Sequence, residues 1–168
     1  MGGSSEEFSE FVARSYRPLV RTAYLLVGDT GHAEDLVQSA LMRTMRSWSR
    51  LRAPEAAAAY TRTTIVRLAG RWRERRWRGE IPSAALPDLS DETDSNASAA
   101  LDVRAALARL PWAQRAVLVL RYFEDLTEPQ TAELLGCSTG TVKSRASRGL
   151  ATLRETGLLN AQTEVHDG

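Results

Sequence analysis

The sequence predicts an all-α chain, built as two small helical domains joined by a flexible acidic linker. Three observations carry this reading. Apolar residues recur at three- and four-residue steps from Phe8 to Trp72 and again from Leu101 to Leu153, and no strand pattern competes in the first half. Between the two runs lies GEIPSAALPDLSDETDSNASAA, Gly79 to Ala100, which has two prolines and only acidic charge. Such a stretch buries too little apolar surface to offset the entropy of ordering it. The charge is also blocked: residues 1–78 hold 14 Arg against 8 acids, residues 79–100 hold 5 acids and no base, and residues 101–168 balance at 8 and 8. The domains are therefore expected at 5–78 and 101–156, with the linker at 79–100 and a short tail at 157–168.

Each element of the first domain has its own signal. Phe8, Phe11, Val12, Leu19, Val20, Ala23 and Val27 form one helical stripe, broken by Gly28-Asp29. Ala33, Leu36, Val37, Ala40, Leu41, Thr44, Met45 and Trp48 form a second, from about Gly31 to Trp48, with Asp29 or Thr30 as its cap. A basic loop, Ser49 to Pro54, follows. The third helix fits Glu55 to about Trp77, with Ile65, Leu68, Ala69 and Trp72 facing inward and Arg62, Arg67, Arg71, Arg73, Arg75, Arg76 and Arg78 crowding its other faces. Aromatics among cations suit unstacked bases as well as backbone. Trp72 reads as core, and the sequence leaves Trp77 open.

The second domain opens with Leu101 to Leu110, is punctuated by Pro111, and continues through Trp112 to Phe123, with Ala116, Val117, Leu120 and Phe123 as its inner face. Thr127-Glu128-Pro129-Gln130 is a capping box with proline in the first turn, where its missing N–H is harmless. Gly136 suits a left-handed turn residue and Ser138 caps the next helix, giving the spacing of a DNA-binding helix-turn-helix. On that last helix, Val142, Ala146, Gly149, Leu150 and Leu153 share the inward arc at about 100° per residue. The opposite arc holds Gly140, Ser144, Ser147, Arg148 and Ala151, flanked by Thr141, Lys143 and Arg145. Small residues permit close approach, hydroxyls bond adaptably, and cations meet phosphates or base edges. A merely solvated face would interleave Glu with Arg, and no acid lies between Cys137 and Arg154.

Composition narrows the function classes. The chain is 43% hydrophobic and 26% charged over 168 residues, an ordinary soluble composition. Charges at Glu6, Glu7, Glu10, Arg14 and Arg17 interrupt the N-terminus, and the uncharged run Ala23 to Gly28 is far below a membrane span, so a cytoplasmic protein without membrane contact is expected. Cys137 is alone, and with only His32 and His166 there is no ligand cluster; no disulfide, metal or cofactor is expected. Two histidines leave scant material for acid–base catalysis, so an enzyme is not expected. Lys143 is the one lysine among 22 basic residues; arginine's planar fork suits phosphate and guanine, though biased codon usage gives the same excess.

Two stretches carry a resemblance. LPWAQRAVLVLRYFEDLTEPQTAELLGCSTGTVKSRASRGLATLR, Leu110 to Arg154, resembles the fourth domain of bacterial RNA polymerase sigma factors, and GHAEDLVQSALMRTMRSW, Gly31 to Trp48, resembles the polymerase-binding part of their second domain. With nothing like a first or third sigma domain, the chain is similar to the extracytoplasmic-function sigma factors of the sigma-70 family over roughly residues 8–155. The resemblance implies that Thr141, Lys143, Ser144, Arg145, Ser147 and Arg148 serve the minus-35 element, with Arg145 nearer the backbone. It implies that Arg50, Arg52, Tyr60, Arg62, Thr63, Arg67 and Arg71 serve the minus-10 element. It further implies that Asp35, Leu36, Gln38 and Met42 grip the clamp helices of the largest polymerase subunit, and that the flap of the second-largest subunit is a second contact. The partners so implied are core RNA polymerase and promoter DNA, with room for an anti-sigma factor, and the chain acts as a monomer within holoenzyme. The chain departs from the family pattern at Ser39, where an acid is common, at Tyr60-Thr61, where Trp-Leu is common, and at Arg67, often Asn. The competing reading is a stand-alone helix-turn-helix regulator, which would normally dimerise to read two half-sites.

Overall fold

The computed structural model describes residues 2–51, 53–77 and 97–155, and among these residues there is no strand. Arg52, most of the acidic segment and the expected tail lie outside the described residues. The chain divides into two units, Met1–Pro87 and Asp88–Gly168.

The first unit contains α1 (Gly2–Val27), α2 (Thr30–Ser47) and α3 (Pro54–Trp77), each packed against the other two. Its core is drawn from the expected stripes, with Phe11, Ala23, Val27, Ala33, Val37, Ala40, Ile65 and Ala69 buried, and adds Leu26, which lies outside them. Helix α1 begins six residues before the stripe does, over polar residues that periodicity cannot register. Its early turns are held by Phe8, whose ring meets Trp48 edge-on at 5.3 Å, and by Phe11 at 5.4 Å from the same ring. Gly28 turns the chain at φ 76°, and Asp29 caps α2 by accepting from the His32 N–H at 2.7 Å.

Helices α2 and α3 are stitched by threonine. Thr44 and Thr61 are fully buried, and their hydroxyl oxygens lie 2.7 Å apart. Each also approaches its own helix, Thr44 the Ala40 carbonyl at 2.9 Å and Thr61 the Ala57 carbonyl at 2.8 Å. Three short contacts compete for two hydroxyl protons, so no polar atom of the pair is left without a partner.

The second unit contains α4 (Ala97–Arg109), α5 (Trp112–Leu118), a π-helical turn (Val119–Phe123), α6 (Glu128–Leu135) and α7 (Thr139–Glu155). Helix α4 starts four residues inside the segment expected as linker. Its C-terminal end is closed by Arg115, 1% exposed, whose Nη2 donates to the Ala108 and Leu110 carbonyls at 2.7 and 3.2 Å. Val117, Ala132 and Val142 form the core between α5, α6 and α7, with Leu135, Cys137 and Ala146 packed against it. Full burial of a valine contributes about 1.5–3 kcal/mol.

The expectation that Phe123 faces inward is overturned: it is 48% exposed. Phe123 is the last residue of the π-helical turn, whose wider winding carries it off the inward arc that α-helical spacing assigns. Ala116, Val117 and Leu120, which precede or open that turn, are buried as the period requires.

Candidate nucleic-acid interface

The presentation of α7 is set by a short turn. Thr127 and Gln130 close a reciprocal capping box, Thr127 Oγ1 accepting at 3.2 Å and Gln130 Oε1 at 2.9 Å. Pro129 occupies the first turn of α6. Gly136 ends α6 at φ 66°, the left-handed region that disfavours a side chain, and the Cys137 N–H returns to the Ala132 carbonyl at 3.0 Å. Ser138 then caps α7, its Oγ accepting from the Thr141 N–H at 3.1 Å.

Helix α7 docks through Val142 and Gly149. A Cβ at Gly149 would stand 2.8 Å from Leu118 Cδ1, so α5 and α7 cross as closely as they do because glycine is there. With that face buried, Lys143, Ser144, Ser147 and Arg148 are exposed, while Thr141 and Arg145 are half-buried. The Thr141 hydroxyl is engaged with Ser138 Oγ at 2.9 Å. The residues expected to face DNA therefore stand together on the outer side of one helix.

An acid missed in the sequence also reaches this helix. Glu128, in the first turn of α6, brings Oε2 to 3.6 Å from Lys143 Nζ and Oε1 to 3.9 Å from Arg121 Nη2. Scanning the α7 segment for carboxylates cannot find it, because the turn, not the local sequence, makes them neighbours.

On α2 the structure separates the four residues expected to grip polymerase. Asp35, Gln38 and Met42 are exposed on one face, and Met45, expected on the inward stripe, is instead exposed and extends that face. Leu36 is 6% exposed and belongs to the core, so its side chain supports that face and does not form it.

The basic surface of α3 is similarly sorted by burial. Arg67 and Arg71 are exposed, and Tyr60, Arg62 and Thr63 are half-buried. Tyr60 is held from α2: Ser47 Oγ donates to its hydroxyl at 3.4 Å and in turn accepts from Arg50 Nη2 at 3.3 Å. Thr61, the second half of the Tyr60-Thr61 departure, is the buried partner of Thr44. Further along, Trp72 is flanked by two groups. His32 packs at 4.3 Å between ring centroids and the Arg76 guanidinium lies 5.3 Å from the ring. Trp72 is thus occupied within its own unit, and the Trp77 side chain lies outside the described positions. Burial first, and the neighbouring Arg76 charge second, lower the Arg73 pKa from its ordinary value. Burial likewise lowers the His32 pKa, against the opposing pull of Asp29 and then Asp35. Arg52 lies outside the described residues.

Residues 11–79 match the family model of Sigma-70 region 2, and residues 100–153 that of Sigma-70, region 4. The chain is 40% identical over 157 residues to an RNA polymerase sigma-E factor of Streptomyces coelicolor, spanning 91% of this chain and 87% of the relative. It is 32% identical over 168 residues to the ECF RNA polymerase sigma factor SigM of Mycobacterium tuberculosis, spanning 98% and 85%. The fold is similar to that of the sigma factor RpoE, solved in complex with the anti-sigma factor NepR from Bartonella quintana, with a TM-score of 0.68 at 24% identity over 92% of this chain and 98% of that one. Among the described residues, no helix is long and apolar enough to cross a membrane. Sequence identity of this degree, sustained through both helical units, makes the assignment: the chain belongs to the sigma-70 family of RNA polymerase sigma factors, in its extracytoplasmic-function group.

Proposed function

We propose that this sigma factor directs transcription initiation through three separate surfaces. Helix α7 reads the upstream minus-35 box as duplex, through Lys143, Ser144, Ser147 and Arg148, with Thr141 and Arg145 at its flanks. The α2–α3 loop and the Tyr60 to Arg71 face of α3 capture the minus-10 box as its strands separate. The exposed face of α2, from Asp35 through Gln38 to Met42, docks on the clamp helices of core RNA polymerase. The polymerase supplies the catalysis and this chain supplies none; it works in the cytoplasm.

The observation that carries this reading is the burial pattern of α7: Val142 and Gly149 are packed inward, leaving small, hydroxyl-bearing and cationic residues outward. Two family segments within one chain count against a stand-alone helix-turn-helix regulator. The Bartonella relative was solved with an anti-sigma factor, and a protein of that kind is the regulatory partner to seek here. The test is in vitro transcription by core polymerase, with and without this chain, on genomic fragments with start sites mapped. New starts sharing two boxes about two duplex turns apart, roughly 70 Å at 34–36 Å per turn, support it. No new starts with active core polymerase refute it.

A further inference from the structure

Outside the surfaces assigned above, the described part of the second unit brings one acid against the DNA-facing helix. Glu128 is anchored twice over. Its backbone lies in the first turn of α6, fixed by the Thr127 and Gln130 box, where the helix dipole favours a carboxylate. Its side chain, 33% exposed, has one oxygen toward Arg121 and the other toward Lys143. Arg121 is itself tied to the Leu126 carbonyl in the loop before α6. Arg121 and Glu128 thus form a fixed post, and Lys143 is the movable member of the trio.

We propose that Glu128 is a specificity-determining residue of the DNA-reading helix, tethering Lys143 so that it engages DNA at one position and contributes little to indiscriminate phosphate binding. The inference rests on the proposed reading of α7. A lysine ammonium has three donors. With the ammonium held 3.6 Å from Glu128, its donors are kept near one place, and an acceptor found there, such as guanine O6 or N7, is bound with the ion pair intact. A phosphate elsewhere is reached only by breaking the pair and leaving the carboxylate, with Arg121 as its remaining partner at 3.9 Å, beside a polyanion. Base contact is therefore favoured over phosphate contact by the geometry of the tether.

The experiment compares reconstituted holoenzymes carrying Glu128→Gln, Lys143→Ala or both, binding promoter DNA and the same DNA with its upstream box scrambled, over a series of salt concentrations. Glu128→Gln keeps the side-chain size at a partly exposed position, and circular dichroism of the full chain checks that the fold is retained. The expected result is tighter binding to the scrambled DNA by about two- to fivefold, the span of an exposed ion pair, and a smaller ratio of promoter to scrambled binding. The salt slope steepens by about 0.9, one added phosphate contact. In the Lys143→Ala background the same substitution changes neither quantity. An unchanged ratio and slope in Glu128→Gln overturn the inference, as does a change that persists without Lys143. If Lys143→Ala alone leaves promoter binding intact, the assignment of Lys143 to DNA fails, and the inference fails with it.

Discussion

In α7 Lys143 and Arg148 stand clear of the body of their unit, whereas in the last turns of α3 Arg73 and Arg76 are drawn into it. Lys143 and Arg148 are exposed beside small residues, and Glu128 of α6 reaches Lys143. Arg76 instead lies over Trp72, and Arg73 is half-buried beside it. Both helices are rich in positive charge, six arginines in α3 and one lysine with three arginines in α7. The difference teaches that burial, not charge density, decides which arginines are offered to a partner: Arg67 and Arg71 are offered by α3, and its last turns are held in place by aromatic contacts.

The contrast can be tested by breaking the packing behind each surface. The largest effect is expected in the second unit from Arg115→Met, which removes two charge-assisted bonds to the end of α4 and leaves its carbonyls unpartnered. The cost is about 3 kcal/mol, measured as a lower melting temperature of that unit at roughly 4–8 °C per kcal/mol. Next is Gly149→Ala, whose methyl group meets Leu118; overpacking costs about 1–3 kcal/mol and shifts α7, weakening upstream-box binding with it. A melting temperature at or above that of the native chain would show that α5 and α7 do not need this close approach.

In the first unit, Thr44→Val removes one partner of the buried hydroxyl pair and costs about 1 kcal/mol by denaturant titration. The smallest effect concerns His32, whose pKa is lowered by burial from 6.5. The unfolded chain binds that proton more readily than the folded one. The His32 contribution is therefore fully present above pH 6.5 and is lost as pH falls through the lower folded value. The melting temperature of the first unit should decline across that window, and His32→Phe should flatten the decline. An equal decline in the variant would assign the effect to other groups.

What the sequence made legible follows the same divide between local and long-range causes. The inward arc of α7, the left-handed Gly136 and the Thr127 capping box are dictated by residues within one or two turns of each other, and they stand in the structure as periodicity and turn chemistry require. Phe123 was misread because a π-helical turn shifts the register without a glycine or proline to announce it. Leu36 was carried from the resemblance as a contact, although its place in the Ala33, Val37 and Ala40 stripe already marked it as core. Glu128 beside Lys143 depends on how α6 and α7 meet, and Arg115 beneath α4 on how the chain turns at Pro111, neither of which hydrophobic periodicity encodes. Thr61 shows the same limit: as a departure from a family pattern it does not reveal where its side chain lies, and that side chain is buried against Thr44.

The central claim is that the outward face of α7 reads DNA sequence, and Arg148→Ala tests it most directly. Reconstituted holoenzyme with this substitution would be assayed for binding and run-off transcription on a promoter with its upstream box intact or scrambled. The account predicts a loss of about 1–3 kcal/mol on the intact box and little further loss on the scrambled one. An equal loss on both would reduce Arg148 to a phosphate contact, and no loss on either would contradict the account.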